Sequence, residues 1–307
     1  MTGLVVKNTG SWYHVLCNDN RTYECKIKGK LRLQDIRSTN PIAVGDFVHF
    51  SLTPEGAGLI SEICERKNYI IRRSSNLSRH SHILAANLDL VMLIATINFP
   101  ETSTVFIDRF LITAEAYSIP ACLIINKTDL YSEHETAYAE ALKNLYESLH
   151  YPVFMISALN KESVAGLTEY LKNRTTLISG NSGVGKSTLI NQLLPESVAR
   201  TSKISAYHNK GTHTTTFSEM FTMENGGRII DTPGIKGFGT VDIKAHEVGH
   251  FFTEIFRYAK KCRFDNCTHV HEPDCAVIDA IDKQLISSSR YQSYLSILTD
   301  FSAGKYR

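Results

Sequence analysis

A glycine-rich segment in the second half of the chain has the spacing of a phosphate-binding loop. It matches GxxxxGK[ST] at every fixed position, with an apolar run before it and a helical pattern after it. Its glycines let backbone N–H groups curl around phosphate oxygens, and the N-terminus of the following helix adds positive dipole. We expect Lys186 to reach the β- and γ-phosphates and the Ser187 hydroxyl to ligate Mg²⁺. The residues predicted to hold the nucleotide here are Gly180, Asn181, Ser182, Gly183, Val184, Gly185, Lys186, Ser187 and Thr188.

Two short segments upstream of this loop have the composition of a guanine-reading site. They are Asn126-Lys-Thr-Asp129 and Ser157-Ala-Leu159. The carboxylate of Asp129 can accept hydrogen bonds from both N1–H and the exocyclic amine of guanine, whereas adenine offers no such donor pair. The stem of Lys127 can pack along the purine, and the backbone N–H of Ala158 can contact O6. We therefore predict a GTP site made by Asn126, Lys127, Asp129, Ser157 and Ala158, and this argues against an ATP-dependent kinase or ATPase that uses the same phosphate loop.

Two later segments are predicted to respond to the γ-phosphate. Asp231 ends a β-like run and can hold the Mg²⁺ shell, while the N–H of Gly234 can contact the γ-phosphate. In the segment Gly211–Thr216, we expect one threonine to close over Mg²⁺. His213 is expected either to orient the attacking water or to anchor this segment. Many GTPases place a glutamine after the Asp-x-x-Gly turn to orient that water, but this chain has Ile235 there.

The order of these segments is rotated relative to an ordinary GTPase. The guanine-reading segments come before the phosphate loop, and the γ-phosphate segments come last. Such a circular permutation preserves the pocket because the termini of a domain usually lie close together at the surface. The residues after Gly234 then lead directly into the C-terminal part of the chain, which indicates a nucleotide switch connected to a neighbouring domain.

A cysteine and histidine cluster lies near the C-terminus. Cys262, Cys267, His269 and Cys275 form C-x₄-C-x-H-x₅-C, a Cys₃His set suited to a closed tetrahedral zinc site, with His271 as an alternative to His269. Seven cysteines make an odd count, so a disulfide framework is not predicted. The remaining cysteines are expected to pack in cores, and they are Cys17, Cys25, Cys64 and Cys122.

Composition and charge indicate a globular protein with a basic N-terminal part. The chain has 307 residues, which suggests two or more domains. The net charge is +2, but residues 1–80 hold 12 lysines and arginines against 7 acidic residues. Lys26, Lys28, Lys30 and Arg32 alternate, so on a strand they would share one face, either to meet phosphates or as an ordinary solvated face. No apolar run approaches the roughly 20 residues of a membrane span and the N-terminus does not read as a signal peptide, so we expect a cytoplasmic protein with no membrane partner.

Periodicity divides the chain into three parts. Five β-like runs before residue 72 suggest a small barrel, with the OB type as one candidate. From about residue 87, strands alternate with helices, which predicts a parallel sheet covered by helices. After about residue 240 the pattern is helical. The predicted strands are Leu4–Lys7, Tyr13–Cys17, Tyr23–Ile27, Phe47–Leu52, Gly58–Ile63, Leu88–Thr96, Ala121–Ile125, Val153–Ile156 and Thr176–Ser179, and the predicted helices are Phe106–Tyr117, Glu133–Leu149 and one that begins at Lys186.

The rotated order, the threonine-rich segment Gly211–Thr216, the leading β-rich part and the trailing Cys/His cluster together resemble the RsgA, or YjeQ, family of circularly permuted GTPases. The resemblance covers nearly the whole chain. It implies an OB-fold β-barrel domain at 1–72, a permuted α/β P-loop GTPase domain at 73–240 and a mainly helical zinc-binding domain at 241–307. It favours Thr216 over Thr215 as the Mg²⁺ ligand and His269 over His271 as the zinc ligand.

The same resemblance implies a function and partners. These are binding to the 30S ribosomal subunit and its 16S rRNA as a monomer, and hydrolysis of GTP to GDP stimulated by that subunit during its late maturation. One alternative is a permuted GTPase of the large subunit, which the β-rich part and the Cys₃His set disfavour. Another is an RNA-binding module with a non-catalytic nucleotide site, which the presence of Lys186, Ser187 and Asp231 disfavours.

Overall fold

The N-terminal part of the computed structural model is a closed five-stranded barrel. The structure describes residues 1–28, 41–73, 81–195, 218–231 and 243–303. The strands are β1 (Thr2–Asn8), β2 (Tyr13–Leu16), β3 (Thr22–Ile27), β4 (Phe47–Leu52) and β5 (Gly58–Ile63). They pair in the order β1-β2-β3-β5-β4, and a β1–β4 pairing closes the barrel. Alternate side chains fill the interior, among them Val5, Val15, Cys25, Val48 and Ile60. The predicted small barrel is confirmed.

A mixed sheet with covering helices forms the central part. Its strands are β8 (Leu90–Ala95), β9 (Ala121–Ile125), β10 (Val153–Met155), β11 (Thr175–Gly180), β12 (Glu219–Thr222) and β13 (Arg228–Asp231), in the order β10-β9-β8-β11-β13-β12. All are parallel except β12, which runs antiparallel to β13 at the edge. Every residue of β8, β9 and β11 is buried, as expected of strands covered on both faces. The predicted α/β architecture is confirmed.

The central helices begin at polar caps. They are α1 (Thr104–Ala116), α2 (Glu133–Ser148), α3 (Lys161–Tyr170) and α4 (Lys186–Leu193). The Ser103 hydroxyl accepts from the backbone N–H of Phe106, so α1 starts two residues earlier than periodicity predicted. Ser132 and Glu135 form a capping box at α2. Helix α3 and the hairpin of β6 (Tyr69–Arg73) with β7 (Ser81–Ala86) were not predicted.

The barrel and the central sheet are hydrogen-bonded to each other. Lys7 of β1 stands opposite Glu219 of β12, so the two sheets become one of 11 strands. Lys7 Nζ also lies 3.0 Å from Glu219 Oε1. The first residue of β12, Glu219, therefore lies against the barrel.

The C-terminal part is helical, as predicted, and packs on α1. A 3₁₀ segment (Ala245–Phe251) precedes α5 (Thr253–Ala259), α6 (Ala276–Asp282) and α7 (Ser288–Ser302). Arg290 of α7 donates to Asp108 of α1 at 2.6 Å and to Glu254 of α5 at 2.6 Å, and all three side chains are buried. Such a buried cluster makes the removal of any one partner costly, because it leaves an uncompensated charge. No helix among the described residues is both long and apolar enough to cross a membrane.

Candidate functional site

The phosphate-loop sequence forms a tight turn between β11 and α4. Gly183 and Gly185 have φ angles of 86° and 93°, in the left-handed region that favours glycine. A Cβ atom on Gly185 would lie 2.4 Å from Asn126 Nδ2, so a side chain here would displace the asparagine. Lys186 is the first residue of α4, and the loop therefore opens directly onto a helix N-terminus. This arrangement directs backbone N–H groups toward an anion.

Asn126 connects the two predicted halves of the nucleotide site. It follows β9 and is buried, with 1% of its surface exposed. Its Nδ2 donates to the Val184 carbonyl at 2.8 Å, and its Oδ1 accepts from the Ala158 N–H at 2.9 Å. One side chain thus ties its own segment to the phosphate loop and to the second upstream segment, although Val184 and Ala158 lie 58 and 32 residues from Asn126 in the chain.

Lys127 and Asp129 follow Asn126 in the chain and are less buried than it is. Lys127 has a φ of 67° and directs its Nζ to the Phe99 carbonyl at 2.5 Å. Asp129 lies in a 3₁₀ turn, Thr128–Leu130, and its side chain is exposed. The Ser163 hydroxyl accepts from the backbone N–H of Ser157 at 2.9 Å, which fixes the second segment at the start of α3.

Asp231 and Lys186 form an ion pair at the floor of the phosphate loop. Lys186 Nζ lies 3.5 Å from Asp231 Oδ1, and the side chains are 11% and 8% exposed. Asp231 Oδ1 is buried and has no hydrogen-bond partner among the described residues. A buried carboxylate that is ion-paired with Lys186 but accepts no hydrogen bond from a described residue fits the outer shell of Mg²⁺, which prefers oxygen ligands and retains several waters.

Four side chains near the C-terminus converge as a candidate metal centre. The donor atoms of Cys262, Cys267, His269 and Cys275 all lie within 4.8 Å of one another. Cys275 Sγ is 3.9 Å from Cys262 Sγ, 3.7 Å from Cys267 Sγ and 3.5 Å from His269 Nδ1. A tetrahedral zinc ion, with Zn–S of about 2.3 Å and Zn–N of about 2.0 Å, requires about 3.8 Å between sulfurs and about 3.5 Å from sulfur to nitrogen. The residues present fit zinc.

Burial sets the protonation of the cluster when no metal is bound. It raises the pKa of the Cys267 thiol to about 12 and lowers the pKa of His269. The neutral imidazole is the form that ligates metal, whereas the thiols would have to lose their protons as a cation binds. Metal binding here would therefore release protons.

The loop that carries His269 is pinned by neighbouring side chains. Tyr291 and Tyr294 of α7 donate to the carbonyls of His269 and Thr268 at 2.7 and 2.6 Å. Glu272 accepts from the N–H groups of Thr268 and Val270. Although burial opposes ionisation, these hydrogen bonds and one from the Thr268 hydroxyl hold the pKa of Glu272 below its ordinary value. These contacts fix the backbone around His269 and so orient its ring toward the three cysteines.

Several residues predicted from sequence to act at the site lie outside the part of the chain that the structure describes. The predicted γ-phosphate and water-positioning residues lie outside the described ranges: His213, Thr215, Thr216, Gly234 and Ile235. So do Lys30 and Arg32 of the basic row, whereas Lys26 and Lys28 are exposed. Sequence reasoning missed Tyr131, whose hydroxyl donates to the Asn126 carbonyl at 2.5 Å. No spacing rule singles out a lone tyrosine after a turn.

Comparison with known proteins gives consistent matches along the chain. The model of the RsgA GTPase family matches residues 63–241, and that of the RsgA N-terminal domain matches residues 2–60. A protein of Phocaeicola vulgatus named "Small ribosomal subunit biogenesis GTPase RsgA" is 64% identical over 100% of this chain and 99% of its own length. A Bacteroides thetaiotaomicron protein, "Small ribosomal subunit biogenesis GTPase RsgA 2", is 59% identical over the same shares.

Two solved structures are also similar over almost their full lengths. YjeQ from Thermotoga maritima has a TM-score of 0.79 and 33% identity, and the match covers 98% of each chain. YloQ, described as a circularly permuted GTPase, has a TM-score of 0.76 and 26% identity over 100% of this chain and 96% of its own. The likeness therefore includes the barrel, the central sheet and the C-terminal helices.

Proposed function

Because this chain belongs to the RsgA family of GTPases, we propose that it binds the small (30S) ribosomal subunit and assists its late maturation. The chain is a GTPase, and the proposal concerns where and when it hydrolyses GTP to GDP and phosphate. The observation that carries it is the full-length likeness to proteins named for small ribosomal subunit biogenesis, since the likeness spans all three structural parts. A ribosomal partner favours action in the cytoplasm. In this proposal the protein binds the 30S subunit as a monomer.

We propose that the nucleotide is held as the sequence pattern indicates. Asn126, Lys127, Asp129, Ser157 and Ala158 read guanine, and the loop from Gly180 to Thr188 holds the phosphates. The bridging contacts of Asn126 support this assignment, because they bring both segments to one loop. In the same proposal Asp231, Gly234 and Thr216 respond to the γ-phosphate.

Two cations belong to the proposal. Mg²⁺ accompanies GTP, with Ser187 and Thr216 as its direct protein ligands, and it neutralises phosphate charge when bound. Zn²⁺, one per chain, is held by Cys262, Cys267, His269 and Cys275 as a structural ion. The separations between the sulfur and nitrogen atoms support zinc in this site.

We further propose that the N-terminal barrel contacts 16S rRNA. Lys26 and Lys28 are exposed, and Lys26 Nζ lies 4.1 Å from the centre of the Trp12 indole ring. Basic and aromatic side chains on one barrel surface suit a nucleic-acid backbone and its bases. The proposed domain limits are 1–72, 73–240 and 241–307.

Cosedimentation tests the partner directly. Purified protein is mixed with isolated 30S or 50S subunits, with GDP or a non-hydrolysable GTP analogue, and the pelleted fraction is measured. We expect binding to 30S particles that is stronger with the GTP analogue. Binding to 50S particles alone would contradict the proposal and favour a large-subunit GTPase.

Asp129→Asn is expected to change base preference from guanine toward xanthine. An amide presents a donor where the carboxylate presented only acceptors, and loss of this charge-assisted pair costs about 1.5–3 kcal/mol. The measurement is the affinity for GDP and for xanthosine diphosphate, with Asp265→Asn, an exposed aspartate of the C-terminal part, as the matched control. Unchanged GDP affinity in Asp129→Asn would show that Asp129 does not read the base.

A further inference from the structure

Tyr131 lies between the base-reading loop and the loop that follows β8. Its hydroxyl donates to the Asn126 carbonyl at 2.5 Å and accepts from the backbone N–H of Ile97 at 2.9 Å. Burial raises the pKa of Tyr131, so the hydroxyl keeps its proton at neutral pH. One hydroxyl group therefore joins the loop that contains Asn126 to the loop that contains Ile97, a residue 34 positions before Tyr131 in the chain.

The loop after β8 is itself held by several hydrogen bonds. Lys127 Nζ donates to the Phe99 carbonyl at 2.5 Å. Asn98 Nδ2 donates to Glu135 Oε1 at 3.0 Å, and Asn98 Oδ1 accepts from the Phe99 N–H at 2.9 Å. Phe99 has a φ of 56°, which a bulky residue adopts only when its surroundings determine the conformation. These contacts aim the Phe99 carbonyl at Lys127.

The same loop reaches the phosphate loop. A Cβ atom built on Gly183 would lie 3.3 Å from Pro100 Cδ, so the proline ring stands directly against the glycine. The Thr96 hydroxyl donates to the Pro100 carbonyl at 2.5 Å and fixes the ring's position relative to β8. Residues 97–100 therefore touch Lys127 on one side and Gly183 on the other.

We propose that Tyr131 and residues 97–100 form a brace that sets how long guanine nucleotide stays bound and how strictly guanine is selected. The brace is a set of positioning residues, because it acts through Asn126, Lys127 and Gly183. It rests on the proposed nucleotide site. A pocket already held in its binding geometry loses less conformational entropy when the ligand binds. A looser brace leaves Asn126 and Lys127 to be ordered by the nucleotide, and the nucleotide is then released sooner.

Tyr131→Phe is the first test, because it keeps the ring and removes only the hydroxyl group. The rate of GDP dissociation is measured in the full-length protein with a fluorescent ribose-labelled GDP, and then with the matching inosine diphosphate. We expect GDP to leave about 5- to 10-fold faster, the effect of losing a hydrogen bond of ordinary strength. The ratio of inosine diphosphate to GDP dissociation rates should fall, because less precise placement of the base weakens contacts to the exocyclic amine.

The matched control is Tyr138→Phe on the exposed face of α2, where the side chain is 46% exposed. It should leave both rates unchanged. Asn98→Ala is the second variant, because it frees residues 97–100 without altering the apolar core. It should also speed GDP release and lower the ratio of inosine diphosphate to GDP dissociation rates. A merely structural role would lower the thermal midpoint without changing the ratio.

Two results would overturn the brace. One is a Tyr131→Phe protein that releases GDP at the wild-type rate and discriminates as strongly as wild type. If Tyr131→Phe does not fold, the second result decides: an Asn98→Ala protein that releases GDP at the wild-type rate would overturn the brace. Failure of the wild-type protein to bind GDP would instead contradict the proposed nucleotide site, so the two failures are distinguishable.

Discussion

Replacing Cys267 with serine is expected to empty the metal centre and loosen the C-terminal domain. Structural zinc contributes on the order of 10–16 kcal/mol of binding free energy in small zinc domains, and that energy is coupled to folding. The loop between Cys262 and Cys275 has little regular structure of its own. Tyr291 and Tyr294 hold it by hydrogen bonds, and in our proposal zinc holds it as well. We expect about one zinc per wild-type chain and near none in the variant.

Metal analysis and thermal unfolding measure this effect. The control is Cys64→Ser, a partly buried thiol in the N-terminal part, which should retain zinc. GDP affinity should stay within a few-fold of wild type in both variants, because the nucleotide site lies on other elements. Wild-type protein purified without chelator and found to contain no zinc would remove the proposed centre.

Replacing His213 with alanine is expected to reduce subunit-stimulated GTP hydrolysis by about 10²–10³-fold, the usual cost of losing a positioned electrostatic or water-orienting group. The reason lies in the sequence. Ile235 occupies the place where many GTPases carry a glutamine, and it has no polar group for water. Intrinsic turnover should therefore be slow. Within the segment Gly211–Thr216, His213 is our candidate for orienting the attacking water.

The measurement is GTP turnover with and without 30S particles, alongside nucleotide affinity. His134→Ala, an exposed histidine of α2, is the matched control and should be stimulated like wild type. Nucleotide affinity should be nearly unchanged in His213→Ala. A His213→Ala protein that binds the particle and is stimulated fully would assign water positioning to other groups.

Sequence predicted the parts of the fold whose signals are local. Buried strands such as β8 and β9 are continuous apolar runs, and the barrel strands alternate, so both periodicities are visible in the chain. The helix start at Thr104 was missed by two residues because the Ser103 cap lies outside the apolar pattern. Helix α3 was missed because its apolar stripe is short, with only Val164 and Leu167 buried.

In the candidate sites, too, local spacing could be predicted from sequence and tertiary contacts could not. The converging Cys₃His donors follow from spacing, because three cysteines and a histidine within a short segment have few other uses. The brace could not be predicted, since Tyr131, Phe99 and Pro100 act through tertiary contacts that depend on how two loops meet. The buried pairing of Asp108 with Arg290 is also invisible in sequence, because the partners are 182 residues apart.

GTP turnover by the wild-type protein, measured with equal amounts of purified 30S and 50S subunits, tests the central proposal most directly. The account predicts slow turnover alone, strong acceleration by 30S particles and little by 50S particles. A rate that neither particle changes, or that 50S particles raise as much as 30S particles, would contradict it.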